Sequence, residues 1–300
     1  MRPHLRAWIV LATAALAVAG PALGQSGDWS YSGSLQLASG DYSLSETTRS
    51  LLLYSGLTYE TGAWTLSASL PLIDQDSPYI TYAGGTPVPS GRRLGQDGDS
   101  SGTDGTGSGS SMGSGRGGRG VVEVPDPDTL DFDQTGVGDP LLRLDWRRAG
   151  DSAGPRFGVY GAVKPPLADE DSGFGTGEWD YGAGLTLANR LGRSLLLADL
   201  GYWVYGDLPD LELEDGLSYS LGLGRSWAEG RYSALASIFG ATEIIDGAEA
   251  PLQASLTLNR SLGAGTKAAA RSLSLTVGAG LSDASPDFSI AAGWRIRWSG

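Results

Sequence analysis

Strict alternation of apolar and polar residues runs through segment after segment of this 300-residue chain, and a period of two builds strands rather than helices. In 29–38, Trp29, Tyr31, Leu35 and Leu37 share one face, with Ser30, Ser32, Ser34 and Gln36 on the other. Segments 64–72, 252–259, 273–281 and 288–298 repeat the pattern, as in Leu273, Leu275 and Val277 against Ser274, Thr276 and Gly278. Noisier alternation covers 49–59, 138–148, 156–164, 180–189, 195–205, 217–227 and 231–240, which brings the expected strands to twelve. Helical periodicity is almost absent.

Alternation alone fits two architectures. A soluble sandwich buries its apolar face and points long charged side chains outward. A transmembrane barrel turns its apolar face to lipid and its polar face to a lumen. Here the polar face is small, made of Ser, Thr, Gly and Ala. Connection lengths decide between the two. Every second connection is short (60–63, 149–155, 190–194, 228–230 and about 260–270). The intervening set is mostly longer: 39–48, 73–136, 165–180, 206–215, 241–250 and 282–287. A sandwich has no reason to sort loop lengths by parity. An antiparallel up-and-down outer-membrane barrel does so, with tight turns toward the periplasm and long loops outside. The expected fold is all-β, a barrel of about 12 strands spanning residues 25–300.

Charge divides the same way. The six long connections hold 27 acids and 4 bases, a net of −23, while the rest of the chain after residue 24 nets +8. An acidic rim stands over a mildly basic body, and that balance excludes nucleic acid as a partner. Residues 1–24 read as a signal peptide: a basic start with Arg2 and Arg6, an apolar run from Ala7 to Ala19, then Pro21-Ala22-Leu23-Gly24. The one His, His4, lies in that leader, and there is no Cys. Imidazole or thiolate catalysis and zinc clusters are therefore not expected, nor is any cofactor.

Aromatics form two bands. Trp29, Tyr59, Trp64, Trp146, Phe157, Trp227, Tyr232 and Trp298 fall at the expected periplasmic strand ends, and Tyr181, Tyr202, Tyr219 and Phe288 at the outer ends. Two belts of amphipathic rings suit two membrane–water interfaces. Outer-membrane lipid and lipopolysaccharide are the expected surroundings.

Three local motifs carry a family resemblance. Gly136-Val137-Gly138-Asp139-Pro140-Leu141-Leu142-Arg143-Leu144 resembles the strand opening of the phenol meta-pathway-associated family of outer-membrane transporters. Val159 to Pro166, followed by Gly175-Thr176-Gly177-Glu178-Trp179-Asp180-Tyr181, is similar to that family's next strand, loop and strand. The C-terminal Trp294, Ile296 and Trp298 resemble the signal by which the barrel-assembly machinery recognises such chains. The resemblance implies an outer-membrane barrel that admits small, hydrophobic or aromatic solutes.

Within the lumen, inward Arg143, Asp145, Arg147, Lys164, Arg295 and Arg297 are expected toward mid-height or the periplasmic end, where fixed charges set solute preference. Alternatively, Asp145 pairs with its arginine neighbours and only satisfies the interior. Acidic runs at Asp169, Glu170 and Asp171, and at Glu212, Glu214 and Asp215, suit weak divalent-cation binding by hard oxygen ligands, but no resident metal is expected. The Gly/Ser-rich 95–120 stretch, inside the 73–136 insertion, is expected to be solvated rather than a plug. The leading function is a passive channel for small solutes and not an enzyme. The alternative is a closed structural or surface-interaction barrel that displays acidic loops.

Overall fold

The computed structural model describes residues 27–42, 47–77, 80–89, 135–148, 154–168, 173–208, 212–262 and 270–299. The leader at 1–24, the 95–120 stretch and Asp169, Glu170 and Asp171 lie outside the described residues.

Fifteen strands are present among them. Three long ones come first: β1 (Asp28–Gly40), β2 (Thr48–Thr61) and β3 (Trp64–Gln75). Three short ones follow: β4 (Ile80–Ala83), β5 (Thr86–Pro89) and β6 (Thr135–Val137). The remainder are β7 (Leu141–Arg147), β8 (Arg156–Lys164), β9 (Asp180–Leu191), β10 (Ser194–Val204), β11 (Gly216–Trp227), β12 (Tyr232–Ala241), β13 (Leu252–Leu262), β14 (Ala270–Gly280) and β15 (Phe288–Ser299).

The long strands pair antiparallel with their sequence neighbours around a ring. β1 closes it against both β2 and β15, with Asp28 opposite Ser299 and Gly40 opposite Thr48. Closure removes the sheet edges and satisfies every ladder within the wall, which is what lipid demands of a spanning sheet. The expected twelve-stranded barrel is thus observed.

The faces are inverted relative to a soluble protein. Leu221, Leu223, Leu256, Leu258, Leu273 and Leu275 stand exposed on the outer wall, with Ser220, Gly222, Ser255, Thr257, Ser274 and Thr276 between them facing inward. Tyr181, Tyr202, Tyr219 and Phe288 are half-exposed near the long-loop end, and Trp64, Phe157 and Trp227 near the short-turn end. Short turns use left-handed backbone: Gly62 joins β2 to β3, Gly192 joins β9 to β10, and Ala228, Glu229 and Gly230 join β11 to β12. The short-turn end is called the inner end below, and the long-loop end the outer end.

One strand departs from regularity. Gly136 lies opposite Ile73 and Leu141 opposite Ser69, so the β6–β7 side carries one residue more than β3. That β-bulge at Gly138-Asp139-Pro140 breaks the single strand expected over 138–148 and reverses which residues face inward. Proline cannot donate to the ladder, so Pro140 sits where pairing has already lapsed.

Candidate functional site in the lumen

The bulge turns Asp139 into the barrel. Its Oδ2 accepts from Lys164 Nζ at 2.7 Å, and its Oδ1 accepts from the backbone N–H groups of Leu167 and Ala168, each at 2.8 Å. Lys164 ends β8 and also reaches Asp180 Oδ2 at 3.3 Å and Thr176 Oγ1 at 3.1 Å. All three charged side chains are at most 3% exposed. Buried charge is tolerated only when its remaining lone pairs and protons are used, and here they are. Asp180 takes two more donors, from Gly84 at 2.8 Å and Gly206 at 3.0 Å. One cluster therefore ties the bulge, the loop after β8, the start of β9, the end of β10 and the β4–β5 hairpin.

That hairpin lies across the outer mouth. All four β4 residues are buried. On one side Tyr82 packs with inward Leu52 and Ile73 and with Phe174, and Gln75 of β3 accepts from the Tyr82 hydroxyl and donates to Ile80 O. On the other side Ala83 and Val88 join Tyr160, Ala162, Trp203 and Tyr205. The hairpin thus bridges the β2–β3 wall and the β8–β10 wall. Its tip is Gly84, with φ +55° and no room for a Cβ, which would sit 2.9 Å from the Tyr205 ring. Burial pushes the Tyr82 hydroxyl well above its ordinary pKa, so it stays a neutral donor. The hydroxyls of Thr48 and Thr81, also buried at this end, find no partner among the described residues.

Deeper in, a second charged group forms a waist. Arg143 grips Asp145 with two bonds of 3.0 Å and approaches Asp199 at 3.5 Å. Its guanidinium lies 3.6 Å from the centroid of the Tyr160 ring, a cation–π contact, and the Tyr160 hydroxyl donates to Asp199 Oδ1 at 3.2 Å. Tyr160 reaches across β9 because Gly184 has no side chain: a Cβ there would lie 2.6 Å from the ring. One cation meets two carboxylates, so the waist carries a fixed negative charge.

At the inner end Arg297 pairs with Asp28 at 2.8 Å and Glu60 at 2.9 Å, all three well exposed. Arg147 donates to Thr65 Oγ1 at 3.3 Å, and Arg295 lies between Ser32 and Ser272 by register. The structure thus splits the six lumen candidates into three places. Arg143 and Asp145 sit at the waist, and Arg147, Arg295 and Arg297 lie toward the inner end. Lys164 does not join them: it belongs to the outer end, because it is the last residue of a strand that runs outward. Trp294, Ile296 and Trp298 face outward, opposite Gly33, Tyr31 and Trp29. Glu212, Glu214 and Asp215 are exposed, and Asp215 Oδ1 accepts from Tyr205 N. Among the described residues no three Asp, Glu, His or Cys side chains converge on a metal position. A recess of about 400 Å³ at the outer rim is lined mostly by outward residues such as Leu37, Leu51 and Phe288, so it belongs to the wall and not to the lumen.

Sequence reasoning missed Asp139, Asp180, Asp199, Tyr160 and the hairpin. Asp139 and Asp180 stand inside motifs that the sequence displays, but a motif does not show which way a side chain points. Asp199 had a usable signal: it is an isolated acid in the middle of an apolar strand, where an unpaired charge is expensive.

Comparison with known proteins agrees with this architecture. The barrel is similar to the COG4313 outer membrane channel from Pseudomonas putida F1, at 14% identity and a TM-score of 0.59, covering 93% of this chain and 97% of that one. Weaker likenesses are the β domain of the Bordetella autotransporter BrkA, at 12% identity and TM-score 0.41 (90% and 98% covered), and the CymD monoaromatic hydrocarbon channel, at 11% identity and 0.38 (93% and 89%). No curated protein matches in sequence. A family model described as "Putative MetA-pathway of phenol degradation" matches residues 91–298, which include the bulge, the buried Lys164 cluster and the waist. The chain belongs to that family, and it is an outer-membrane β-barrel with the fold of a channel.

Proposed function

We propose that the protein is a channel for passive uptake of small, hydrophobic or aromatic solutes across the outer membrane, and that it transports rather than catalyses. The observation that carries this reading is the asymmetry of the inner wall. Strands β7, β8 and β10 crowd the lumen with Arg143, Tyr160 and Asp199. At mid-height opposite them, β13, β14 and β15 present Ser255, Thr257, Ser274, Thr276, Gly278 and Gly293, none long enough to cross the interior. A wall of small residues beside a fixed charge is the arrangement of a narrow selective path. Passage at the mouth runs beside the β4–β5 hairpin or displaces it. The solute class rests on the family description and on the apolar and aromatic side chains about the hairpin.

The second reading, a closed barrel displaying acidic loops, draws on the same hairpin, which fills much of the mouth. Liposomes containing purified protein separate the two. A channel lets small neutral solutes in, with rates falling as solute size grows, and gives discrete conductance steps in planar bilayers. Silence in both assays, for a sample whose gel migration shifts on boiling, rejects the channel. Lipopolysaccharide at the wall and the assembly machinery reading Trp294, Ile296 and Trp298 complete the proposed partners.

A further inference from the structure

Inward leucines near the inner end are not explained by the membrane. Leu195 and Leu197 of β10 lie opposite Gly224 and Gly222 of β11, and Leu235 of β12 lies opposite Gly224 on the far side. They share the face of Asp199 and Ser220, which points into the lumen. Outward Leu196, Leu200, Leu221 and Leu223 already cover the lipid side, so these three have no lipid to meet. A Cβ on Gly222 would sit 3.1 Å from Leu235 Cδ1 and 3.6 Å from Leu197 Cβ, and one on Gly224 would sit 3.6 Å from both Leu195 Cβ and Leu235 Cδ1. The leucines therefore close over these two glycines and make one continuous apolar face, and all three are only partly buried. Apolar surface left partly wet in a lumen gains by taking an apolar occupant.

Beside this apolar face stand three arginines. Arg190 is directly opposite Leu195, Arg156 is paired with Ala188 two residues before Arg190, and Arg147 is paired with Gly158 two residues after Arg156. All three are exposed, on the same inward face, and within a few residues of the short turns. Like charges on neighbouring strands repel one another, so the group gains from an anion between them. The nearest inward carboxylates are already engaged, Asp145 by Arg143, and Asp28 and Glu60 by Arg297. Among the described residues, Arg147, Arg156 and Arg190 have no carboxylate partner.

We infer that the inner half of the lumen holds a subsite for small organic anions, an apolar ring or short alkyl group bearing one carboxylate. The ring lies against the apolar face made by Leu195, Leu197 and Leu235. The carboxylate reaches Arg190 and Arg156, since diagonal cross-strand neighbours stand about 7–8 Å apart, within reach of two long side chains, and a guanidinium fork matches a carboxylate with two bonds. A neutral ring would need only the leucines, and an inorganic anion only the arginines; this wall offers both. The subsite gives the proposed channel a preferred cargo and in that sense rests on the channel reading, but its binding is measurable without conduction.

Equilibrium dialysis of the full folded chain in detergent, with benzoate, benzyl alcohol and acetate as probes, tests it. Benzoate should be held about tenfold more tightly than either of the others, and rising salt should weaken benzoate but not benzyl alcohol. The double variant Arg156→Ser/Arg190→Ser should lose that preference, and Leu235→Ser should weaken benzoate and benzyl alcohol together. Should the double variant not fold, Arg156→Lys/Arg190→Lys keeps the charge, loses the fork and should hold benzoate at an intermediate level. Equal retention of benzoate and benzyl alcohol, or benzoate binding that ignores salt, overturns the inference. Conductance without benzoate preference rejects the subsite alone. Benzoate binding in a barrel that never conducts rejects the channel alone.

Discussion

The two ends of this lumen handle charge in opposite ways. At the outer mouth Lys164, Asp139 and Asp180 are dry, the carboxylates taken up by backbone N–H groups and Lys164, and Lys164 by the carboxylates, the Thr176 hydroxyl and the Glu178 carbonyl. At the inner end Arg297, Asp28 and Glu60 are wet, and other arginines beside them lack a carboxylate partner among the described residues. A desolvated charge must be held by fixed geometry, so it can lock loops in place. A hydrated charge is screened and cheap to move, so it can attract a solute without determining the fold. The outer end is built for position and the inner end for contact.

The sharpest way to break that contrast is Lys164→Met. It strands two buried carboxylates, and the expected cost is about 3–5 kcal/mol, read as a lower urea midpoint with protease cleavage within 80–89 and 165–178. Wild-type resistance in that variant would show that the cluster does not hold the loops. Next in size is Gly84→Val, which forces a β-branched residue into φ +55° against the Tyr205 ring. A cost of about 2 kcal/mol to hairpin docking is expected, with a larger single-channel conductance and the barrel itself intact by gel migration. Conductance equal to wild type would place the solute path away from the hairpin.

Thr81→Val should act in the reverse direction. It removes a buried hydroxyl that has no partner among the described residues, so the hairpin should dock about 1 kcal/mol more firmly and the channel spend less time conducting. Recordings that show longer open times would mean the hydroxyl does find a partner. The smallest effect belongs to Arg297→Ala at the inner end. Loss of two exposed ion pairs should change stability by under about 1 kcal/mol, while leaving Asp28 and Glu60 free to shift selectivity toward cations in reversal-potential measurements. A loss of stability comparable to that of Lys164→Met would erase the distinction between the two ends.

Much of this could be read from the chain. The alternation of Leu273, Leu275 and Val277 with Ser274, Thr276 and Gly278 is a local property, and so is the length of each turn. Strand number, wall polarity and the acidic outer rim follow from such local facts. The charged sites were legible only in part. Arg143 and Asp145 sit two residues apart on one inward face, so their pairing was visible as an alternative in the sequence. Their third partner, Asp199, comes from a strand that β8 and β9 separate from theirs.

What the sequence by itself determined is therefore the barrel: a period of two, a choice of small polar or apolar at each step, and loops that alternate in length. What only the tertiary structure decided is which charges meet. Asp139 lies 25 residues before Lys164, and it turns inward because one extra residue at Gly138-Asp139-Pro140 shifts the register of the strand. The β4–β5 hairpin bridges the mouth because inward faces of β2, β3, β8 and β10 offer it apolar surface from both sides. Periodicity specifies the side of the wall a residue occupies. Its partners across the lumen depend on register summed around the whole ring, and a single bulge is enough to change that sum.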